Sequence, residues 1–153
     1  MKRVILMALG LLALVMALAA CSSVPVREAY TAAGESSNPN NVTEQDEFSA
    51  FEDLNVVIEL NRHSHKLLLQ AVFRPLATGQ EYWTNVQEAE ETTGTVLLGL
   101  SWDGTTGGEP WPSGEWQVDI LVDQEVEDTV SFTVRPATEP IETEDPLQPP
   151  PQG

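Results

Sequence analysis

Between Leu54 and Arg135 the chain alternates apolar and polar residues with a period of two. Val56, Ile58 and Leu60 alternate with Asn55, Val57 and Glu59. Leu67, Leu69, Ala71 and Phe73 alternate with Leu68, Gln70, Val72 and Arg74. Val96, Leu98, Leu100 and Trp102 form a further apolar face. Trp116, Val118, Ile120 and Val122 then stand against Gln117, Asp119, Leu121 and Asp123, and Val130, Phe132 and Val134 against Thr129, Ser131 and Thr133. Side chains of a strand point alternately to its two faces, so this period predicts strands with one buried and one wet face, the antiparallel pattern.

Turn residues punctuate these runs. Pro75 ends the second, because it lacks the amide hydrogen that a sheet ladder needs. Asn61 to His65 separates the first two strands. Asp103-Gly104 and Gly107-Gly108 open a long loop that closes at Pro112-Ser113-Gly114, and Asp123-Gln124-Glu125 joins the last two strands in a hairpin. The stretch from Pro75 to Thr93 is long for a structureless loop, so a strand is expected within it, around Glu81 to Val86. The sum is an all-β domain over residues 52–136, with about six or seven strands.

The flanks differ in character. Residues 21–51 are rich in Ser, Asn, Ala, Glu and Thr without sustained periodicity, and read as a flexible linker. Within it, Thr43 could cap a helical turn with Asp46 three residues on. The Pro-, Glu- and Thr-rich residues 137–153 read as a disordered tail, since they hold too little apolar surface to pack.

At the N-terminus, Lys2 and Arg3 precede an unbroken apolar run from Val4 to Ala20, and small residues lead up to Cys21. That is the anatomy of a secretory signal over residues 1–20. As a transmembrane helix it would sit at the lower limit of about 17 apolar residues. Leu18-Ala19-Ala20-Cys21 resembles the lipobox of bacterial lipoprotein signal peptides at all four positions. The resemblance implies lipidation of Cys21 and cleavage before it. It also implies a place in the cell envelope facing away from the cytoplasm, on the outer membrane if the cell is Gram-negative, because Ser22 and not Asp follows the cysteine. Cys21 is the only cysteine, so it has no disulfide partner in the chain.

The C-terminal half carries a second likeness. Trp111-Pro112-Ser113-Gly114-Glu115-Trp116, the face of Val118, Ile120 and Val122, and the closing Phe132-Thr133-Val134 are similar to the final strands of bacterial immunoglobulin-like domains. The turn between them, Asp123-Gln124-Glu125, departs from the common Asp-Gly form. This likeness implies an immunoglobulin-like antiparallel β-sandwich and no particular function.

The composition is strongly acidic, with 24 Asp and Glu against seven Lys and Arg and a net charge of −17. Loss of Lys2 and Arg3 with the signal leaves five basic residues against the 24 acidic ones, a difference of −19. Such a field repels nucleic acid and anionic headgroups, which excludes nucleic acid as a partner. It fits a solvated surface, a saline setting or a basic partner.

Candidate chemistry is sparse. His63 and His65 flank Ser64 in a turn and lack the further ligands that a metal site needs, so no metal and no cofactor is expected. With no other histidine and no serine singled out, no hydrolase is read either. Asp103, Gly104 and Glu109 lack EF-hand spacing and read as an ordinary turn. Of the four tryptophans, Trp116 and Trp102 have core parity. Trp111, before Pro112, reads as covering the end of the sandwich, and Trp83 is the least explained. Core or rim packing is the ordinary reading, and Trp83 and Trp111 are the candidates to face a ligand. The expected protein is therefore a non-enzymatic, membrane-anchored binding or structural module. Its candidate partners are the membrane, through the lipid, and another envelope protein. One alternative is an accessory subunit that docks on a larger envelope complex through a sheet edge; another is a carbohydrate-binding module or small enzyme using Trp83 or Trp111.

Overall fold

A computed structural model of the chain describes residues 24–36 and 41–137. Leu18, Ala19, Ala20 and Cys21, and all but the first residue of the expected tail, lie outside the described residues. The described residues are mostly β-strand with almost no helix, in two sheets packed face to face. The first has the order β2-β1-β4-β8, from Thr43–Glu44 (β2), Val26–Ala33 (β1), Leu54–Leu60 (β4) and Thr95–Leu100 (β8). The second has the order β3-β10-β9-β5-β6, from Glu47–Phe48 (β3), Glu125–Val134 (β10), Gly114–Val122 (β9), Leu67–Pro75 (β5) and Tyr82–Trp83 (β6). Gln87–Ala89 (β7) pairs with β5 further along the same edge.

The period-two faces meet between the sheets. Leu54, Val56 and Ile58 of β4 and Val96 and Leu98 of β8 pack against Leu69 and Phe73 of β5, Trp116, Val118 and Ile120 of β9, and Phe132 and Val134 of β10. Aromatic rings fill one end of this core. Phe132 stands edge-on to Phe48 at 5.3 Å and to Phe73 at 6.1 Å, and Trp111 stands edge-on to Trp116 at 5.8 Å.

Four features depart from the sequence reading. First, residues 26–33 are a strand and not part of a linker. β1 pairs antiparallel with β4 over its length and buries Val26 and Ala32. A bulge between Val26 and Glu28 breaks the alternation, and two of its inward positions are the small Ala29 and the polar Thr31, so no apolar stripe marks it. The folded unit therefore begins before residue 52. Asn55, buried on the outer side of β4, donates from its amide to the carbonyls of Ala32 (3.3 Å) and Gly34 (2.8 Å), tying the end of β1 down.

Second, the strands number ten among the described residues, because β1, β2 and β3 precede residue 52. Within 52–136 there are seven, β4 to β10, and β6 at Tyr82–Trp83 falls in the stretch Glu81 to Val86 where a strand is expected. Third, the pairing is not wholly antiparallel, since β3 runs parallel to β10. The Thr43 region forms β2 and β3 and no helical turn. Fourth, the Asp103-Gly104 stretch is a short helix, Trp102–Thr106 (α1). Ser101 caps it by accepting the Gly104 N–H, and Gly107 closes it in the left-handed conformation, with φ 68°.

The hairpin between β9 and β10 forms at the expected place. Its two turn residues, Asp123 (φ 51°) and Gln124 (φ 75°), are both left-handed, the signature of a type I′ turn. Neither is glycine, and a left-handed residue with a Cβ costs roughly 1–2 kcal/mol. Bonds to β5 offset this cost. The Leu68 N–H donates to the Asp123 carboxylate at 3.0 Å, and the Asp123 N–H donates to the Leu68 carbonyl at 2.8 Å.

Candidate interaction surface

The outer face of the larger sheet is not uniformly polar. β5 presents Leu68, Gln70, Val72 and Arg74 on this side, and β9 presents Leu121, which lies opposite Gln70 on β5 and Val126 on β10. The edge beyond β5 supplies two more apolar groups through a break in its pairing. Trp83 of β6 stands opposite Val72, and β7 resumes opposite Leu69. Between them the Thr84 hydroxyl accepts the Ala71 N–H at 3.0 Å, while the Gln70 side-chain amide donates to the Thr84 carbonyl at 2.8 Å. The Thr84 N–H still donates to the Ala71 carbonyl at 3.0 Å, while side chains replace the reciprocal ladder bonds, and Val86 beyond the break lines the outer face.

Leu68, Gln70, Trp83, Val86, Leu121 and Gln124 line a shallow depression of about 430 Å³. Trp83 is 51% exposed, Val86 54% and Val126 60%. Single exposed apolar residues, such as Val24 and Leu76, are ordinary on protein surfaces. A contiguous cluster is not, and marks a surface that something covers. Carboxylates surround the cluster. Glu81 accepts the Trp83 indole N–H at 3.2 Å, Glu88 stands opposite Leu68, Asp119 opposite Val72, and Asp123 holds the Leu68 N–H. Arg74 bridges Glu81 (3.0 Å) and Asp119 (3.1 Å), and Lys66 bridges Glu88 (2.8 Å) and Glu90 (3.2 Å). The pKa values of Arg74 and Lys66 are raised, chiefly by the hydrogen bonds from their charged heads to Glu81 and Glu88.

The other sequence candidates are placed as follows. Trp111 does not face a ligand. It is 2% exposed, donates its indole N–H to the Glu52 carbonyl at 2.8 Å, and packs edge-on to Tyr82 at 5.3 Å. Trp116 is fully buried, and Trp102 is half-buried beside Phe51 with its indole N–H on the Glu109 carbonyl. Trp83 is therefore the exposed tryptophan, and it has no coplanar partner. His63 has both ring nitrogens against backbone carbonyls, Nδ1 at 3.0 Å from Asn61 and Nε2 at 2.9 Å from Glu90. This arrangement staples the β4–β5 loop to the segment after β7 and leaves no ring nitrogen free to ligate. His65 is exposed, with Nε2 3.9 Å from the Asp123 carboxylate. Among the described residues no group of three or more His, Cys, Asp and Glu is placed to hold a metal ion, and no helix is long and apolar enough to cross a membrane.

Sequence reasoning missed Leu68, Val86, Leu121 and Val126 as site residues. A signal for two of them was present, since Leu68 and Leu121 are large apolar residues at wet-face parity. The position of Val86 depends on the break at Thr84, and that of Val126 on the bulge between Val126 and Asp128.

No protein-family model matches the chain, and no curated protein matches it. Two solved structures are similar at low identity. One is the alkylpurine DNA glycosylase AlkC of Pseudomonas fluorescens bound to DNA containing an abasic site analog, at 14% identity and a TM-score of 0.45, over 73% of this chain and 30% of that one. The other is a β-glucosidase of Listeria innocua in complex with glucose, at 12% identity and a TM-score of 0.45, over 73% of this chain and 16% of that one. Likenesses of this strength carry no functional argument.

Proposed function

We propose that this chain is a lipid-anchored protein of the cell envelope whose immunoglobulin-like sandwich binds a partner and catalyses nothing. The observation that carries the binding half is the apolar cluster around Trp83 on an otherwise charged surface. The anchoring half rests on Leu18-Ala19-Ala20-Cys21 and the apolar run before it. Two strand-forming halves with a two-residue hairpin closing the last pair agree with the immunoglobulin-like reading. The parallel β3 and the broken β6–β7 edge are local additions to it.

With β1 starting at Val26, a lipid on Cys21 would hold the sandwich close to the membrane, within roughly 17 Å of chain. That is a far shorter tether than the linker expected from composition. Labelled fatty acid tests the anchor. Wild-type protein should take up the label, and Cys21→Ala should remain an unlabelled precursor. Absence of label on the wild type would refute the lipoprotein reading. Recovery only from the inner membrane of a Gram-negative host would refute the outer-membrane part.

A second reading is favoured by one observation. Among the described residues β8 ends the smaller sheet with no strand beyond it, and its sequence Thr95–Leu100 carries neither a charge nor a proline to blunt the edge. Docking through this edge would make the protein an accessory subunit of a larger envelope complex. A Lys substitution at Leu97 that releases the protein from such a complex would favour this route over the Trp83 face.

A further inference from the structure

We infer that the Trp83 face takes a protein segment in which an apolar knob is ringed by lysine or arginine. This rests on the reading of that face as a binding surface and adds the chemistry of the partner. Three observations carry it.

The centre of the face is chiefly aliphatic, with Leu68, Val86 and Leu121 beside one indole and Val126 continuing it next to Leu121 on the neighbouring strand. The Trp83 indole N–H is engaged by Glu81 and the Gln70 amide N–H by Thr84, which leaves Gln124 as the further neutral polar side chain on the lining. The open surface is therefore mainly apolar, which suits an apolar side chain better than a saccharide.

The rim is acidic beyond its own neutralisation. Lys66 and Arg74 each serve two carboxylates, and among the described residues Asp123 has only an exposed His65 within ion-pair distance. Glu81, Glu88, Asp119 and Asp123 therefore hold surplus negative charge around the apolar centre. A ring of cations on the partner complements it and speeds encounter.

That same surplus argues against a second copy of this chain. A two-fold contact through this face sets each acidic rim against the other, in a protein whose net charge is already −17.

Three alternating peptides test the inference on the mature chain in non-ionic detergent: Lys-Leu, Lys-Ser and Glu-Leu. Trp83 is the exposed tryptophan among four, so iodide quenching of fluorescence reads its cover directly. The Lys-Leu peptide should shield Trp83 and bind at least about tenfold tighter than either control. Val86→Ser and Val126→Ser, two exposed positions, should each weaken it by about tenfold, and added salt should weaken it further. Lys-Ser binding as tightly as Lys-Leu would reduce the effect to bulk charge and overturn the inference. Equal binding of Glu-Leu would remove the role of the rim and overturn it as well. Shielding by a soluble oligosaccharide, or self-association abolished by Val126→Lys, would also overturn it while leaving the face a binding surface. No shielding by any of these probes would sink the binding surface itself.

Discussion

The two faces of the larger sheet carry apolar side chains of similar size and meet opposite fates. On the inner face Trp116, Val118, Ile120, Phe132 and Val134 are buried against β4 and β8. On the outer face Trp83, Val86 and Val126 stay more than half exposed, although Val72 and Leu121 beside them are buried by their neighbours. Burial on the inner face lowers the free energy of the fold by about 1.5–3 kcal/mol for each large side chain. Exposure on the outer face contributes almost nothing to folding, so those residues are free to serve an encounter. Alternation therefore locates a core and does not by itself say that the opposite face is inert.

The comparison fails if the inner face does not need the opposite sheet. Deleting the chain through Ala33 removes β1 from between β2 and β4 and exposes the edge of the strand that covers the core. Domains of this size have about 5–15 kcal/mol in hand, so the deletion should abolish cooperative thermal unfolding altogether. A protease-resistant core beginning near Leu54 would show instead that the strands 54–134 fold without β1.

A narrower test lies within β10. Phe132→Ala should cost about 3–5 kcal/mol in a denaturant melt, because it opens a cavity between Phe48, Phe73 and Trp116. Thr133→Ala, one residue away on the exposed side, should cost about 0.5 kcal/mol or less. Equal costs would erase the distinction between the faces.

Alkaline titration separates inside from outside by a different route. Tyr82 stacks on Trp116 at 5.7 Å, and burial raises its pKa above the ordinary 10.0, since desolvation disfavours the tyrosinate. Lys66, on the rim, is raised above 10.5 by its hydrogen bonds to Glu88 and Glu90. Both groups hold their proton more tightly folded than unfolded. Their stabilisation is thus complete below about pH 10 and is lost as pH rises through the folded values. Stability should be insensitive to these groups up to about pH 10 and fall above it. Tyrosinate absorbance of the folded chain should develop at higher pH than that of the unfolded chain. Lys66→Gln should remove only the rim share and leave the tyrosine titration in place. Coincident tyrosine titrations would place Tyr82 outside the packed cluster.

The smallest effect is expected where the outer face is most open. Val126→Ser should change stability by about 0.5 kcal/mol or less, while it weakens the Lys-Leu peptide as described above. A melt as damaged as that of Phe132→Ala would mean that Val126 serves the fold and not a partner.

Much of this was legible in one dimension. The long strands β4, β5, β8, β9 and β10 follow from period-two runs, and the end of β5 from Pro75. The hairpin follows from the polar break at Asp123, although its left-handed Gln124 does not, because the turn is held by a bond from Leu68, fifty-five positions away. Trp83 was legible as a candidate because no core face claimed it. Trp111, before Pro112 in the motif and expected to cover the end of the sandwich, stood beside it as a candidate, and packing against Tyr82 and Glu52 takes it into the core.

By itself the sequence determined the all-β class, the inward faces of the five long strands and the excess of negative charge, because these depend on local periodicity and on counts. Only the tertiary structure decided that Val26–Ala33 belongs to the sandwich, that β3 runs parallel to β10, and that Leu68, Trp83, Val86, Leu121 and Val126 converge on one surface. A bulge, a two-residue strand and a side chain standing in for a ladder bond leave no period behind them. Their positions are set by partners distant in the chain, and those partners become neighbours only once the sheets have formed.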